Sequence, residues 1–166
     1  MSAGLDEAVS GTAADVPFFA LPPAGGNGGL APMIALWHPL GEAGSPDAMA
    51  DVLPLTGLPA WRVYFGLPRT GSRAVDTAIG SDLVLDIYTP MIEQAAAEFA
   101  AARTALRTML PIDDGPVAVV GSSAGGHTAL RVLRATALTI EQEWEAALGP
   151  ERLDEFRDTL TFLLSQ

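Results

Sequence analysis

With 166 residues, 49% of them hydrophobic, the chain has the length of one domain and enough apolar surface for a core, which excludes disorder throughout. Its formal net charge is −11, from 20 acidic and 9 basic residues, and every basic residue is an arginine scattered among carboxylates. A field of that sign repels phosphate and sets nucleic acid aside as a partner. Cysteine is absent, which excludes disulfides, thiolate metal sites and a cysteine nucleophile.

The two histidines, His38 and His127, have no ligand spacing such as HExxH around them, so neither a metal nor a cofactor is expected. Residues 1–10 carry Asp6 and Glu7 but no basic start or apolar stretch, as a signal peptide would need. No apolar run approaches the ~20 residues of a bilayer span. A cytoplasmic chain with no membrane partner is the expectation.

Residues 1–15 are expected to be flexible. The apolar run VPFFAL at 16–21, followed by Pro22, Pro23 and the glycine-rich GGNGG at 25–29, predicts an early strand and hairpin. MIALW at 33–37 does not alternate, as in a strand buried on both faces, and it ends at His38 and Pro39. Ser45 as a cap and Pro46 in the first turn predict a short helix over 47–53. WRVYFG at 61–66 predicts a third strand, with a loop over 67–73 behind it. Met91, Ala95, Phe99, Ala102, Leu106 and Met109 recur at helical spacing, which predicts a helix over 90–110 stopped by Pro111.

After a turn at Asp113, Asp114 and Gly115, the β-branched PVAVVG at 116–121 predicts a strand, and residues 125–134 begin a helix. Strands alternating with helices predict an α/β chain whose sheet is mostly parallel, with helices on its faces. Thr139 with Gln142 reads as a capping box that opens a helix to Leu148, after which Gly149 ends it and Pro150 starts another. Leu153, Phe156, Leu160 and Leu163 share one face of that last helix, and the carboxylates from Glu141 to Asp158 read as its solvated side and that of its neighbour. A change of texture at 135–137 divides a domain over 16–137 from a helical hairpin over 138–166.

One motif carries chemistry. Gly121, Ser122, Ser123, Ala124 and Gly125 match GxSxG, in which a serine stands on a strained turn between a strand and a helix. Glycines at 121 and 125 let strand and helix approach closely, so that the Ser123 hydroxyl projects as a nucleophile. The amide of Ala124, at the start of the helix, becomes an oxyanion donor. The bland alternative is a Gly/Ser turn that joins strand to helix or binds an anion.

On these residues the chain resembles a family. VAVVGSSAGGHTALRVL looks like the strand, turn and helix that carry the nucleophile of α/β-hydrolase esterases, many of which follow SAGG with a non-catalytic histidine. IALWHPLGEAGSPDAMADVLPLTGLPAWRVYFGLPRTGSR is similar to the stretch those enzymes place before it, with a strand, an HG-like oxyanion loop, a helix, a strand and a loop near substrate. The resemblance implies a partial α/β-hydrolase sheet and a serine esterase that attacks a small acyl-bearing substrate through Ser123. Pro39 replaces the family's glycine and has no N–H, so Leu40 or Gly41 is the expected second oxyanion donor.

In that family the order is serine, then Asp or Glu, then histidine, on loops after later strands. No such strands follow residue 137, so a truncated domain is expected, weakly active or inactive alone. His38 shares an edge of the sheet with Ser123 and is either the base or a support of the oxyanion loop. His127 rides the same helix one turn beyond Ser123 and reads as a locally bonded polar residue. The C-terminal LTIEQEWEAALGPERLDEFRDTLTFLLS is similar to the last helices of MarR-type transcription regulators, which implies a homodimer through these helices. An ordinary helical hairpin covering a sheet face is the equal alternative. A non-catalytic hydrolase fragment or fusion with such a helix pair is therefore the second functional expectation.

Overall fold

The computed structural model describes residues 7–26, 28–41, 44–75 and 82–165, and the chain divides into two units, Met1–Val132 and Leu133–Gln166. The first unit holds five strands: β1 (Val9–Ala13), β2 (Val16–Leu21), β3 (Met33–Trp37), β4 (Trp61–Phe65) and β5 (Ala118–Gly121). They form one sheet in the order β1-β2-β4-β3-β5. β3 runs parallel to both β4 and β5, whereas β2 is antiparallel to both β1 and β4. The sheet is therefore mixed, which corrects the mostly parallel expectation. One of the two antiparallel pairs comes from a tight hairpin: Ala14 and Asp15 both take left-handed backbone, with φ of 46° and 64°, and reverse β1 onto β2.

That hairpin also relocates the early turn. β2 pairs with β1 and β4 and does not fold back across the GGNGG segment, whose Asn27 lies outside the described residues. The segment expected to be flexible contains β1, while residues 1–6 lie outside the described residues.

Two helices sandwich the sheet. α1 (Pro46–Val52) starts where the sequence predicts, with the Ser45 hydroxyl accepting from the Ala48 amide at 3.3 Å and Pro46 in the first turn. Its Met49 and Ala50 pack with Leu36 and Tyr64 on one face. α2 (Thr89–Met109) lays Met91, Ala95, Ala102 and Leu106 on the other face, against Trp37, Trp61, Val63 and Phe65. Trp37, Phe65 and Phe99 close this core, with ring centroids 5.3 to 5.9 Å apart in one stacked and two edge-on contacts. A π-helical segment, Leu83–Tyr88, leads into α2, with the Asp82 carboxylate accepting from the amides of Val84 and Leu85 at 2.9 Å.

β4 is buried at all five positions, including a cation. Arg62, 6% exposed, donates to the carbonyls of Pro22 and Leu55, and Tyr64 donates to the Leu53 carbonyl at 2.6 Å. Burial lowers the Arg62 pKa and raises that of Tyr64, and the proximity of each to the other opposes both shifts. These bonds tie the segment after β2 and the segment after α1 to the central strand.

α3 (Ala124–Leu148) is one helix from the first unit into the second. Thr139 therefore does not cap a new helix; its hydroxyl donates back to the Ala135 carbonyl at 3.1 Å, as threonine does inside a helix. Gly149, with φ of 81°, ends α3, and α4 (Pro150–Leu164) begins at Pro150. Within the second unit Trp144 meets Phe156 edge-on at 5.5 Å, and Arg157 lies 3.7 Å from Glu141. Leu153 is buried, whereas Leu160, Phe162, Leu163 and Leu164 are exposed. Among the described residues no helix is long and apolar enough to cross a membrane.

Candidate active site

Ser123 stands between the end of β5 and the start of α3, with φ of 54°, and is exposed. A left-handed conformation costs an L-residue roughly 1–2 kcal/mol, so the surroundings must hold it there. They do so by contact. A Cβ at Gly121 would lie 2.1 Å from the Gly125 carbonyl oxygen, and a Cβ at Gly125 would lie 2.0 Å from the Trp37 oxygen and 2.8 Å from that of His38. Neither position admits a side chain, because both glycines are pressed against backbone that cannot yield. The strand-to-helix bend is thus clamped between its own ends and the end of β3.

Parallel register fixes the neighbourhood. Gly121 pairs with Trp37, so Ser123 and His38 both follow the C-terminal ends of adjacent parallel strands. Ala124, fully buried, is the first residue of α3, and its amide has no acceptor within the helix. Thr128 donates to the Ala124 carbonyl at 3.0 Å. Beyond His38, Leu40 is exposed and Gly41 has φ of 111°, while residues 42 and 43 lie outside the described residues.

His38 is 1% exposed and uses both ring nitrogens locally. Nδ1 lies 2.7 Å from the Pro39 carbonyl oxygen and Nε2 accepts from the Leu67 amide at 3.2 Å. Those partners fix the tautomer, because a carbonyl only accepts and an amide only donates: Nδ1 carries the proton and Nε2 is bare. Of the two roles open to this residue, support of the loop is the one these bonds perform. Burial lowers its pKa below 6.5, against the opposing pull of the Pro39 carbonyl and Asp47. Asp47 itself is held below the usual carboxylate range, first by the Ser45 hydroxyl and then by nearby amides. A cavity of about 200 Å³ opens beside His38, lined in part by Ser45, Asp47, Leu67, Thr70 and Arg73.

His127, one turn along α3, places Nδ1 3.1 Å from the Ser123 carbonyl oxygen and 2.9 Å from the Tyr88 hydroxyl. Tyr88 and Leu67 escape a sequence reading, since neither belongs to a motif and each matters only through a contact made by folding. Asp113 accepts from the Gly115 amide at 2.9 Å in the turn that precedes β5. Among the described residues no group of three or more acidic or histidine side chains is placed to hold a metal ion.

No family model matches the sequence, and no curated protein matches it. Among solved structures, the chain is similar to a thermostable esterase, at 16% identity over 78% of this chain and 38% of that one, with a TM-score of 0.48. It is similar to TT1662 from Thermus thermophilus at 19% identity over 78% of this chain and 51% of that one, again with a TM-score of 0.48. It is also similar to the epoxide hydrolase VrEH1 from Vigna radiata, at 14% identity over 79% of this chain and 37% of that one, with a TM-score of 0.39. The chain thus spans between 37% and 51% of the length of these structures.

This geometry has two measurable outcomes. Gly125→Ala costs at least ~3 kcal/mol in urea unfolding or prevents folding, whereas Gly126→Ala, whose Cβ would lie 3.3 Å from the Gly121 oxygen, costs about 1 kcal/mol. For His38 the folded pKa lies below the unfolded one, so the unfolded chain takes up the proton first. Its contribution to stability is complete above pH 6.5 and is lost as pH falls through the folded value. Unfolding free energy measured from pH 7.5 to 5.5 therefore declines by at most about 1.4 kcal/mol per pH unit from this group, and His38→Gln, which retains an acceptor for Leu67, flattens the decline.

Proposed function

We propose that the chain is a serine hydrolase of the α/β-hydrolase type, an esterase that acts on small acyl-bearing substrates with Ser123 as nucleophile. The observation that carries this reading is the left-handed backbone of Ser123 between a parallel strand and a helix, flanked by two glycines with no room for a side chain. Such a turn offers the hydroxyl to solvent and sets the Ala124 amide beside it as an oxyanion donor, with Leu40 or Gly41 as the second donor. The reaction is acyl transfer: the Ser123 oxygen adds to the carbonyl carbon as its proton passes to water, and the oxyanion rests on the amides. Collapse breaks the ester C–O bond, so that the alkoxide takes a proton and leaves as the alcohol while the acyl group stays on Ser123 until water hydrolyses it.

Deprotonation of Ser123 requires a base. Both ring nitrogens of His38 are occupied by backbone groups, and Nδ1 of His127 faces the Ser123 carbonyl. The two histidines of the chain thus have other partners, and Ser123 remains a weak nucleophile in this chain alone. A fluorophosphonate probe reads this directly. Slow labelling of a single serine, abolished by Ser123→Ala, is the expected result. Labelling that survives Ser123→Ala, or none after prolonged exposure, overturns the assignment; labelling at the rate of a complete serine–histidine–acid enzyme overturns the claim that no base assists.

A second reading concerns association. Leu138, Trp144, Leu148, Phe156, Leu160 and Leu163 leave apolar surface exposed within residues 133–166, the segment that resembles the dimerisation helices of MarR-type regulators. We infer a homodimer through this segment, which also suits a non-catalytic role. Light scattering coupled to size exclusion is expected to give twice the chain mass, falling to one chain in Trp144→Glu/Leu160→Glu; a wild-type monomer at all concentrations refutes it.

A further inference from the structure

We propose that Tyr88 and His127 form a latch that holds Ser123 in its left-handed turn, which makes both of them positioning residues for the proposed nucleophile. The inference rests on the assignment of Ser123 given above. It begins from a local conflict of partners at one nitrogen. His127 Nδ1 lies 3.1 Å from the Ser123 carbonyl oxygen and 2.9 Å from the Tyr88 hydroxyl. A carbonyl offers only lone pairs, and a bare Nδ1 at that distance would set lone pair against lone pair. Nδ1 therefore carries the proton and donates to the Ser123 carbonyl, with the phenolic oxygen taking a share of the same hydrogen. The Tyr88 hydroxyl keeps its own proton for solvent.

The Ser123 carbonyl already accepts the His127 amide at 3.1 Å as the first bond of α3. The imidazole adds a second donor to it, from the same residue, so rotation of the peptide after Ser123 breaks two bonds instead of one. Tyr88 in turn fixes the ring: the two rings meet edge-on at 5.8 Å and 75°. Tyr88 is itself anchored where the π-helical segment joins α2. Asp82 caps that segment, and Arg69, on the loop behind β4, donates to the Asp86 carbonyl at 3.4 Å. A π-helical turn shifts the side chains beyond it relative to an α-helix, and such turns recur where a side chain must be re-aimed. Here the residue that ends it is Tyr88. The loop behind β4 also supplies the Leu67 amide to His38, so one loop supports both sides of the bend.

Three variants of the full chain separate this role from general packing. In His127→Asn the amide nitrogen takes the place of Nδ1 as a donor, His127→Leu removes the donor, and Tyr88→Phe keeps the ring but removes the hydroxyl. Amide hydrogen exchange at residue 127, whose amide donates to the Ser123 carbonyl, is expected, relative to the intrinsic rate of the residue present, to accelerate about tenfold in His127→Leu, to accelerate about threefold in Tyr88→Phe, and to return to within about twofold of wild type in His127→Asn. Long-range nitrogen–proton couplings in the wild-type chain are expected to show Nδ1 as the protonated ring nitrogen of His127. A bare Nδ1, or unchanged exchange in both His127→Leu and Tyr88→Phe, overturns the latch. Should His127→Leu fail to fold, Tyr88→Phe and the tautomer decide alone. Fluorophosphonate labelling separates the two readings: no labelling in any variant, with exchange responding as stated, removes the hydrolase assignment and keeps the latch as a structural device. Wild-type labelling rates together with unchanged exchange sink the latch and spare the assignment.

Discussion

The bend at Ser123 depends on a single steric constraint, the contact of two glycines with backbone. Gly125 lies so close to the carbonyls of Trp37 and His38 that only a hydrogen fits between them, and Gly121 is pressed equally against Gly125. This contact welds the first turn of α3 to the ends of both β5 and β3. It therefore determines where the sheet's parallel half ends, and it places residue 123 where the chain has no room to relax into ordinary backbone. The strain at one residue is balanced by packing that is local, dense and made of main chain, which is harder to deform than side chains would be.

Beside that rigid bend the chemistry of the histidines is divided. His38 is buried, neutral and committed to the Pro39 carbonyl and the Leu67 amide, so its energy goes into the shape of the loop after β3. His127 is exposed and faces the peptide of Ser123 rather than its hydroxyl. The arrangement favours preorganisation over proton transfer: a hydroxyl and an amide donor are held in place while no imidazole is aimed at the oxygen.

How much of this is legible in the sequence differs from element to element for physical reasons. β3 announces itself as an unbroken apolar run, because a strand buried on both faces needs no polar alternation. β4 is read from its aromatic and β-branched residues despite Arg62, and β5, only partly buried at the border of the sheet, from its paired valines. α1 carries its own start signal in Ser45 and Pro46. The turn at 121–125 is legible because glycine is needed there for space, and space is a property that the residue type itself encodes. β1 is not legible: VSGTA has no apolar face to speak of, and its hairpin turns on Ala14 and Asp15 instead of the Asn-Gly or Gly-Gly pairs that mark left-handed backbone. The unbroken course of α3 through Thr139 is hidden for the opposite reason, since threonine and glutamine at capping-box spacing also sit well inside a helix when the threonine bonds to the turn before it. Tyr88 and Leu67 act through partners distant in the chain, which no local pattern records.

The order of the strands has a colloidal consequence. β5 borders the sheet with the four residues AVVG, uncharged and free of proline, whereas the opposite border, β1, presents mainly polar and small residues. Proteins commonly discourage chain-to-chain adhesion along such a margin with a lysine or a proline, and this chain has no lysine to place there. What opposes pairing at this margin is instead diffuse: a net charge of −11 over the whole chain, whose repulsion reaches only about 8–10 Å in physiological salt. Pairing of copies along the β5 margin is accordingly a matter of ionic strength and acidity, because the repulsion that opposes it comes from overall charge.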